Sequence, residues 1–262
     1  MRRKVRYAIS AALAALLCLA AILLLRETRK ERALLACEHV EVEFRDSLKF
    51  VSARETTSWL DRNYGVCTGQ RLDSLDLQRI ENMLLSRGPI VGCEAWTDDH
   101  GVLHIEIRQR EPVLRFSYGD TGGYYVDADG YIFPLHRSYT ADVRVIEGSI
   151  PVRPAAGFSG QPESDSDREW IAGMLEFERR VSASRTWDDI ISRTIIRDNG
   201  DIALTLGSGD ELYIIGDPDR LDEKFSGIAR YQREIRPEVG DGYYRTVNLK
   251  YKNQIICRQK DT

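Results

Sequence analysis

"GPIVGCEAWTDDHGVLHIEIRQREPVLRF", residues 88–116, decides the fold of the first half of this chain. Gly88-Pro89 is a stop signal for whatever helix precedes it. The runs "VGCEAWT" (91–97) and "VLHIEIR" (102–108) then flank the turn "DDHG". Their alternation of apolar and polar residues is the period of a half-buried strand, so the stretch predicts a hairpin.

Working upstream, Leu77, Ile80, Leu84 and Leu85 make an apolar stripe on a helix over about 74–86. An earlier helix over 52–64 starts at Ser52, three residues before Glu55, the spacing of a capping box. Before it, "VEVEFR" (40–45) alternates as a strand. The order strand, helix, helix, strand, strand predicts a compact unit with two helices over a three-stranded sheet. We place it at residues 38–111.

Downstream, residues 112–262 read as a second, β-rich domain with helices, which makes the class α+β. Strands are predicted at 113–118, 124–128, 131–135 and 143–146. A loop rich in proline and glycine (151–167) and a helix over 168–184 follow, with Trp170, Met174, Phe177 and Val181 at helical spacing. Asn199-Gly200 in "RDNGDIALTL" is a strong hairpin signal. Asp217-Pro218 predicts a helix start, and Pro237 its stop near Ile235. The chain closes on "TVNLKYKNQIICRQK" (246–260). There Val247, Leu249, Tyr251, Ile255 and Cys257 fall on one face of a strand expected over 243–257.

At the other end, residues 7–25 hold 19 residues without a charge. As a helix they extend roughly 28 Å, near the thickness of a hydrocarbon core. This predicts one membrane span between a tail (1–6) and a polar connector (26–37). The run into "LLLRETRKER" is a poor cleavage site. "LLAC", ending at Cys37, is separated from the apolar stretch by charges, which argues against a lipoprotein signal. Arg2, Arg3, Lys4 and Arg6 favour a cytoplasmic tail, with the bulk outside. Cys37, Cys67, Cys93 and Cys257 then lie where disulfides are permitted. Cys67 and Cys93 as a pair, or all as buried free thiols, are both open readings.

The net charge of -4 gives no sign of a nucleic-acid binder. Four histidines (His39, His100, His104, His136) lack companions at metal-ligand spacing. "DADG" (127–130) reads as a turn, because its glycine comes too early for a calcium loop. Asp98-Asp99 and Asp188-Asp189 sit where carboxylates cap backbone donors. No catalytic residues, metal or cofactor are expected. Arg108 and Arg110 share a predicted strand face, which reads as solvated or as a basic patch.

Residues 88–116 resemble the second half of a POTRA domain, and more narrowly that of the bacterial division family FtsQ/DivIB. Arg110, Pro112 and Val113 match its "R-x-P-V" segment, and "LDSLDLQRIENMLLSRGPIV" resembles the helix and step before it. "YYVDADGYIFPL" (124–135), "VRVIEGSIP" (143–151) and the terminal "NLKYKNQIIC" are similar to later family segments, the last to the Bacteroidetes branch. The resemblance implies a single-span inner-membrane scaffold without catalysis, located at the septum with its bulk in the periplasm. It implies FtsB/DivIC-like and FtsL-like partners and, indirectly, a septal peptidoglycan synthase. It also implies that the last strand accepts a strand from the FtsB-like partner, with Tyr251 as first contact. Val247, Leu249, Lys250, Lys252 and Ile255 complete the expected binding strand. The alternative is a POTRA-containing envelope transport or assembly component, though such proteins usually carry several POTRA units or a barrel.

Overall fold

The structure is a computed structural model that describes residues 19–20, 35–119, 122–207 and 209–260. The expected tail, span and most of the connector lie outside the described residues. Among the described residues no helix is long and apolar enough to cross a membrane. The chain divides into two compact units between Gln109 and Arg110.

In the first unit, β1 (His39–Phe44) is followed by α1 (Ala53–Asn63), α2 (Leu77–Leu85), β2 (Ile90–Thr97) and β3 (Val102–Gln109). The order matches the sequence reading. The Ser52 side chain accepts from Glu55 N–H at 3.3 Å and caps α1 as its spacing predicted. The second helix starts later than expected. Leu72–Ser74 forms a separate 3-10 turn, and Asp76 caps α2 by accepting from Arg79 N–H at 3.0 Å. The sheet order is β1-β3-β2, with β1 parallel and β2 antiparallel to β3. Leu60, Ile80 and Leu84 from the helices meet Leu103, Ile105 and Ile107 from the central strand. Residues assigned to the connector already belong to this unit: Leu35 and Cys37 are bonded into it, and Cys37 is 1 % exposed.

The second unit contains β4 (Pro112–Ser117), β5 (Gly123–Asp127), β6 (Ile132–Pro134) and β7 (Arg144–Gly148). Next come α3 (Asp165–Ser182), α4 (Arg185–Ile190), β8 (Ile191–Ile196), β9 (Ile202–Leu206) and β10 (Leu212–Gly216). The chain ends on α5 (Leu221–Arg230), α6 (Arg236–Val239), β11 (Tyr244–Asn248) and β12 (Ile256–Gln259). All the strands join one nine-stranded mixed sheet, in the order β12-β11-β10-β9-β8-β7-β4-β5-β6. Met174, Phe177 and Val181 of α3 and Leu221, Phe225 and Ile228 of α5 bury their apolar faces in one core with strand residues such as Phe116, Ile146, Leu204 and Val247.

Several boundaries differ from expectation. Asp217-Pro218 does not open α5, which begins at Leu221 after Arg220, and α3 starts at Asp165 rather than 168. Pro237 does not stop the helix near Ile235. Tyr231–Ile235 widens into a π-helical turn, Pro237 sits in the first turn of α6, and the helix ends at Gly240. Proline lacks the N–H that an α-helix needs and crowds the turn before it. A wider turn accommodates both, and Arg236 N–H reaches back to the Tyr231 carbonyl. The expected strand over 243–257 is likewise two strands, with a turn across Tyr251–Gln254.

Candidate partner-binding edge

β11 is not an edge. It pairs in parallel with β10 (Tyr213↔Val247) and antiparallel with β12 (Val247↔Cys257). Val247 is 0 % exposed and Leu249 4 %, so both belong to the core. Leu249 N–H continues the ladder by donating to the Ile214 carbonyl at 2.8 Å. Its side chain lies against α5 at Gly227, where a Cβ would come within 2.5 Å of Leu249 Cδ2. A sequence pattern of alternation marks buried positions, but it cannot say which strand supplies the neighbours.

Lys250 has a structural task. Its Nζ donates to Asp201 Oδ1 at 2.7 Å, and its methylene stem passes over Gly216, where a Cβ would meet Lys250 Cγ at 2.9 Å. The hydrogen bond to Asp201 raises the Lys250 pKa. Tyr251, by contrast, is 53 % exposed, and Lys252 is exposed beside it. The turn is fixed by Gln254 N–H to the Tyr251 carbonyl at 3.3 Å and by Asn253 N–H to Glu223 Oε1 at 2.9 Å. Asn253 adopts φ 57, a left-handed conformation that asparagine tolerates better than most residues. That asparagine was the available signal for a break in the strand.

The edge itself is β12, which among the described residues has a strand neighbour on one side only. Ile256 is 46 % exposed there, Ile255 is half-buried, and Tyr243 is exposed at the start of β11. Between α5 and the turn lies a groove of about 280 Å³, lined by Gly227, Arg230, Arg233, Leu249, Tyr251 and Ile255 among others. Beneath the edge, buried Glu211 accepts from Tyr213 Oη at 2.8 Å and Tyr231 Oη at 3.1 Å. Burial pushes both tyrosine pKa values up. This aromatic layer supports the sheet where it meets solvent. Sequence reading missed Ile256, Tyr243 and the groove, because they depend on where the chain folds back.

The other predicted site residues fall into packing roles. Arg110 pairs with Asp127, and its guanidinium lies 3.7 Å from the Tyr131 ring centroid. Pro112 is buried, and Val113 is half-buried against the core. These residues tie the start of β4 to the β5–β6 turn. There Asp127 Oδ1 also accepts from Asp129 N–H and Tyr131 N–H at 2.9 Å each, so "DADG" is a turn. Arg108 is exposed on β3, and Arg110 is committed to its pair with Asp127.

The acidic pairs are equally occupied. Asp98 caps its turn through His100 N–H and Val102 N–H and bonds His104 at 3.0 Å. The His104 bond, followed by those backbone donors, holds Asp98 down at about 2. Asp188 differs from its expected capping role, because it accepts from Arg144 Nη2 at 2.6 Å. Among the described residues no cluster of histidine, cysteine and carboxylate side chains could hold a metal. In this structure Cys37, Cys67, Cys93 and Cys257 stand unbridged, so the pairing of Cys67 with Cys93 is not formed here.

A family model described as FtsQ/DivIB, C-terminal related, matches residues 111–258, ending inside β12. The chain belongs to the FtsQ/DivIB family. A POTRA-like domain model matches residues 35–108, the whole helix-and-sheet part of the first unit. No curated protein matches the chain by sequence. FtsQ/DivIB membership indicates a role in cell division. The family is generally non-enzymatic and membrane-anchored, and it works with other division proteins.

Proposed function

We propose that this chain is a non-catalytic scaffold of the division machinery that binds FtsB/DivIC-like and FtsL-like bitopic proteins outside the cytoplasm and links them to septal peptidoglycan synthesis. The open edge at β12 carries the reading. An edge strand presents a row of unpaired backbone groups, and a partner strand added there gains main-chain hydrogen bonds while alternate side chains set specificity. Tyr251, Lys252, Ile255 and Ile256 surround that edge. Val247, Leu249 and Lys250 act from behind it, by holding the turn in place. Residues 7–25 anchor the chain in the inner membrane, with the tail inside and both units in the periplasm at the septum.

The test uses exposed positions, because deletion of residues 247–262 would remove core side chains and confuse folding with binding. Tyr251→Glu and Ile256→Glu should each reduce co-purification of the FtsB/DivIC-like partner at least about tenfold, one decade for every ~1.4 kcal/mol lost. The circular dichroism spectrum should stay unchanged. Normal recovery of the partner by a folded double variant would sink the edge-pairing reading. A fluorescent fusion should form a mid-cell ring, whereas a uniform envelope signal would argue against a division role.

A further inference from the structure

The segment before β1 is clasped by the loop after α1. Cys37 N–H donates to the Gln70 carbonyl at 2.7 Å, and the Cys37 carbonyl accepts from Gly69 N–H at 2.7 Å. Ala36 and Arg71 form an isolated antiparallel bridge beside them. Cys67 opens the turn that supplies both clasping groups. Gln70 N–H donates back to the Cys67 carbonyl at 3.1 Å, with Gly69 at φ 85. A four-residue turn keeps its end Cα atoms within about 7 Å, which brings the backbone of Cys67 to within one turn of the residue bonded to Cys37.

Both side chains point into the same core. Each is 1 % exposed, and both belong to the cluster that holds Leu60, Leu72 and Leu103. Their polar contacts are weak. Cys37 Sγ lies 3.5 Å from the His39 carbonyl, and Cys67 Sγ lies 3.7 Å from the Gly65 carbonyl. Burial raises the pKa of both thiols, that of Cys67 to about 11, with Cys37 itself contributing. Cys93 sits differently, on β2 beside Glu81 and Glu94, with burial raising it to about 12.

We propose that Cys37 and Cys67 form a disulfide that staples the first residues of the POTRA-like unit to the loop after α1. The two thiols give up two protons and two electrons as one S–S bond forms. A low-molecular-weight disulfide such as oxidised glutathione accepts them, its own S–S bond breaks, and it leaves as two thiols. Thiolate is the attacking species, and buried thiols of raised pKa supply little of it. Exchange therefore takes place while the chain folds, before the core closes over the pair. The closed loop encloses all of β1 and α1. Among the described residues β1 has β3 as its one strand neighbour, so its leading end is otherwise held by that ladder, the backbone clasp and the packing of Leu35, Cys37 and Val40. A covalent link there would carry any pull on the preceding residues past the edge strand and into the helix layer.

To test this, the full chain is reduced in urea and refolded into detergent with a glutathione redox buffer. Free thiols are then blocked with N-ethylmaleimide, and the product with native circular dichroism is digested without reductant for mass spectrometry. The expected result is one linked peptide pair joining Cys37 to Cys67. It should persist in Cys18→Ser, Cys93→Ser and Cys257→Ser, and be lost in Cys67→Ser. Adding reductant should lower the melting temperature of the first unit by roughly 10 °C in the unsubstituted chain, with no shift in Cys67→Ser. Recovery of Cys37 and Cys67 as maleimide adducts from natively folded chain would overturn the proposal, as would Cys67 linked to Cys93. The peptide map of the unsubstituted chain decides the matter even if a variant fails to fold.

Discussion

Gly227→Ala in α5 tests whether Leu249 packs behind the turn at Tyr251–Gln254, the candidate binding turn. Gly227 is a helix-interior residue, so alanine there should gain about 1 kcal/mol of helix propensity. The added Cβ, however, would stand 2.5 Å from Leu249 Cδ2, well inside contact distance. Overpacking of this kind costs about 1–3 kcal/mol, and the net expectation is a loss of about 0–2 kcal/mol. Leu249→Ala alone should cost about 2–5 kcal/mol, because the side chain is buried. In that background the obstruction is gone, and Gly227→Ala should stabilise by about 1 kcal/mol. The two substitutions should therefore couple by about 1–3 kcal/mol, as residues in contact do. Urea unfolding followed by tryptophan fluorescence can read this, because the Trp187 ring stacks on Phe225 of α5 at 4.8 Å between centroids. Trp59 and Trp96 lie in the first unit and should report a separate transition unaffected by either change. If Gly227→Ala stabilises equally with leucine and with alanine at 249, the packing account of the turn is refuted.

Arg144→Met should destabilise the second unit by about 3–5 kcal/mol in urea unfolding, because it strands the buried Glu178 carboxylate that Arg144 Nε contacts at 2.6 Å; Glu178→Gln should cost less. Gly148→Ala should give insoluble protein or a large fall in melting temperature, since φ is +99 and a Cβ would lie 2.2 Å from the Ile196 carbonyl oxygen. Asp98 titrates below the ordinary carboxylate range, so its contribution is fully present above about pH 4 and is lost as the pH falls towards about 2. Acid melting of the first unit should accordingly be flatter over that window in Asp98→Asn.

Local chemistry made much of this protein readable from its residues. Ser52 and Glu55 mark the start of α1, the alternation of 91–97 and 102–108 gives β2 and β3, and Asn199-Gly200 gives the β8–β9 turn. Each of these depends on neighbours within a few residues, where capping, turn conformation and side-chain period act directly. The exact start of α2 and the fate of Pro237 were less readable. In each, competing local options differ little in energy, and packing of Leu72 or Tyr231 into the core selects among them.

The candidate binding edge shows the same division most sharply. Alternation in "TVNLKYKNQIICRQK" established that apolar residues near the C-terminus are buried on one face. Tertiary structure decided that Val247 and Leu249 are core, that Lys250 answers Asp201, and that Tyr251 is left in solvent. It also decided that β12 and not β11 is the open edge, because β10 takes one side of β11 and the returning chain takes the other. Strand order and the fold-back at Asn253 are set by contacts between residues far apart in sequence, and no local periodicity encodes them.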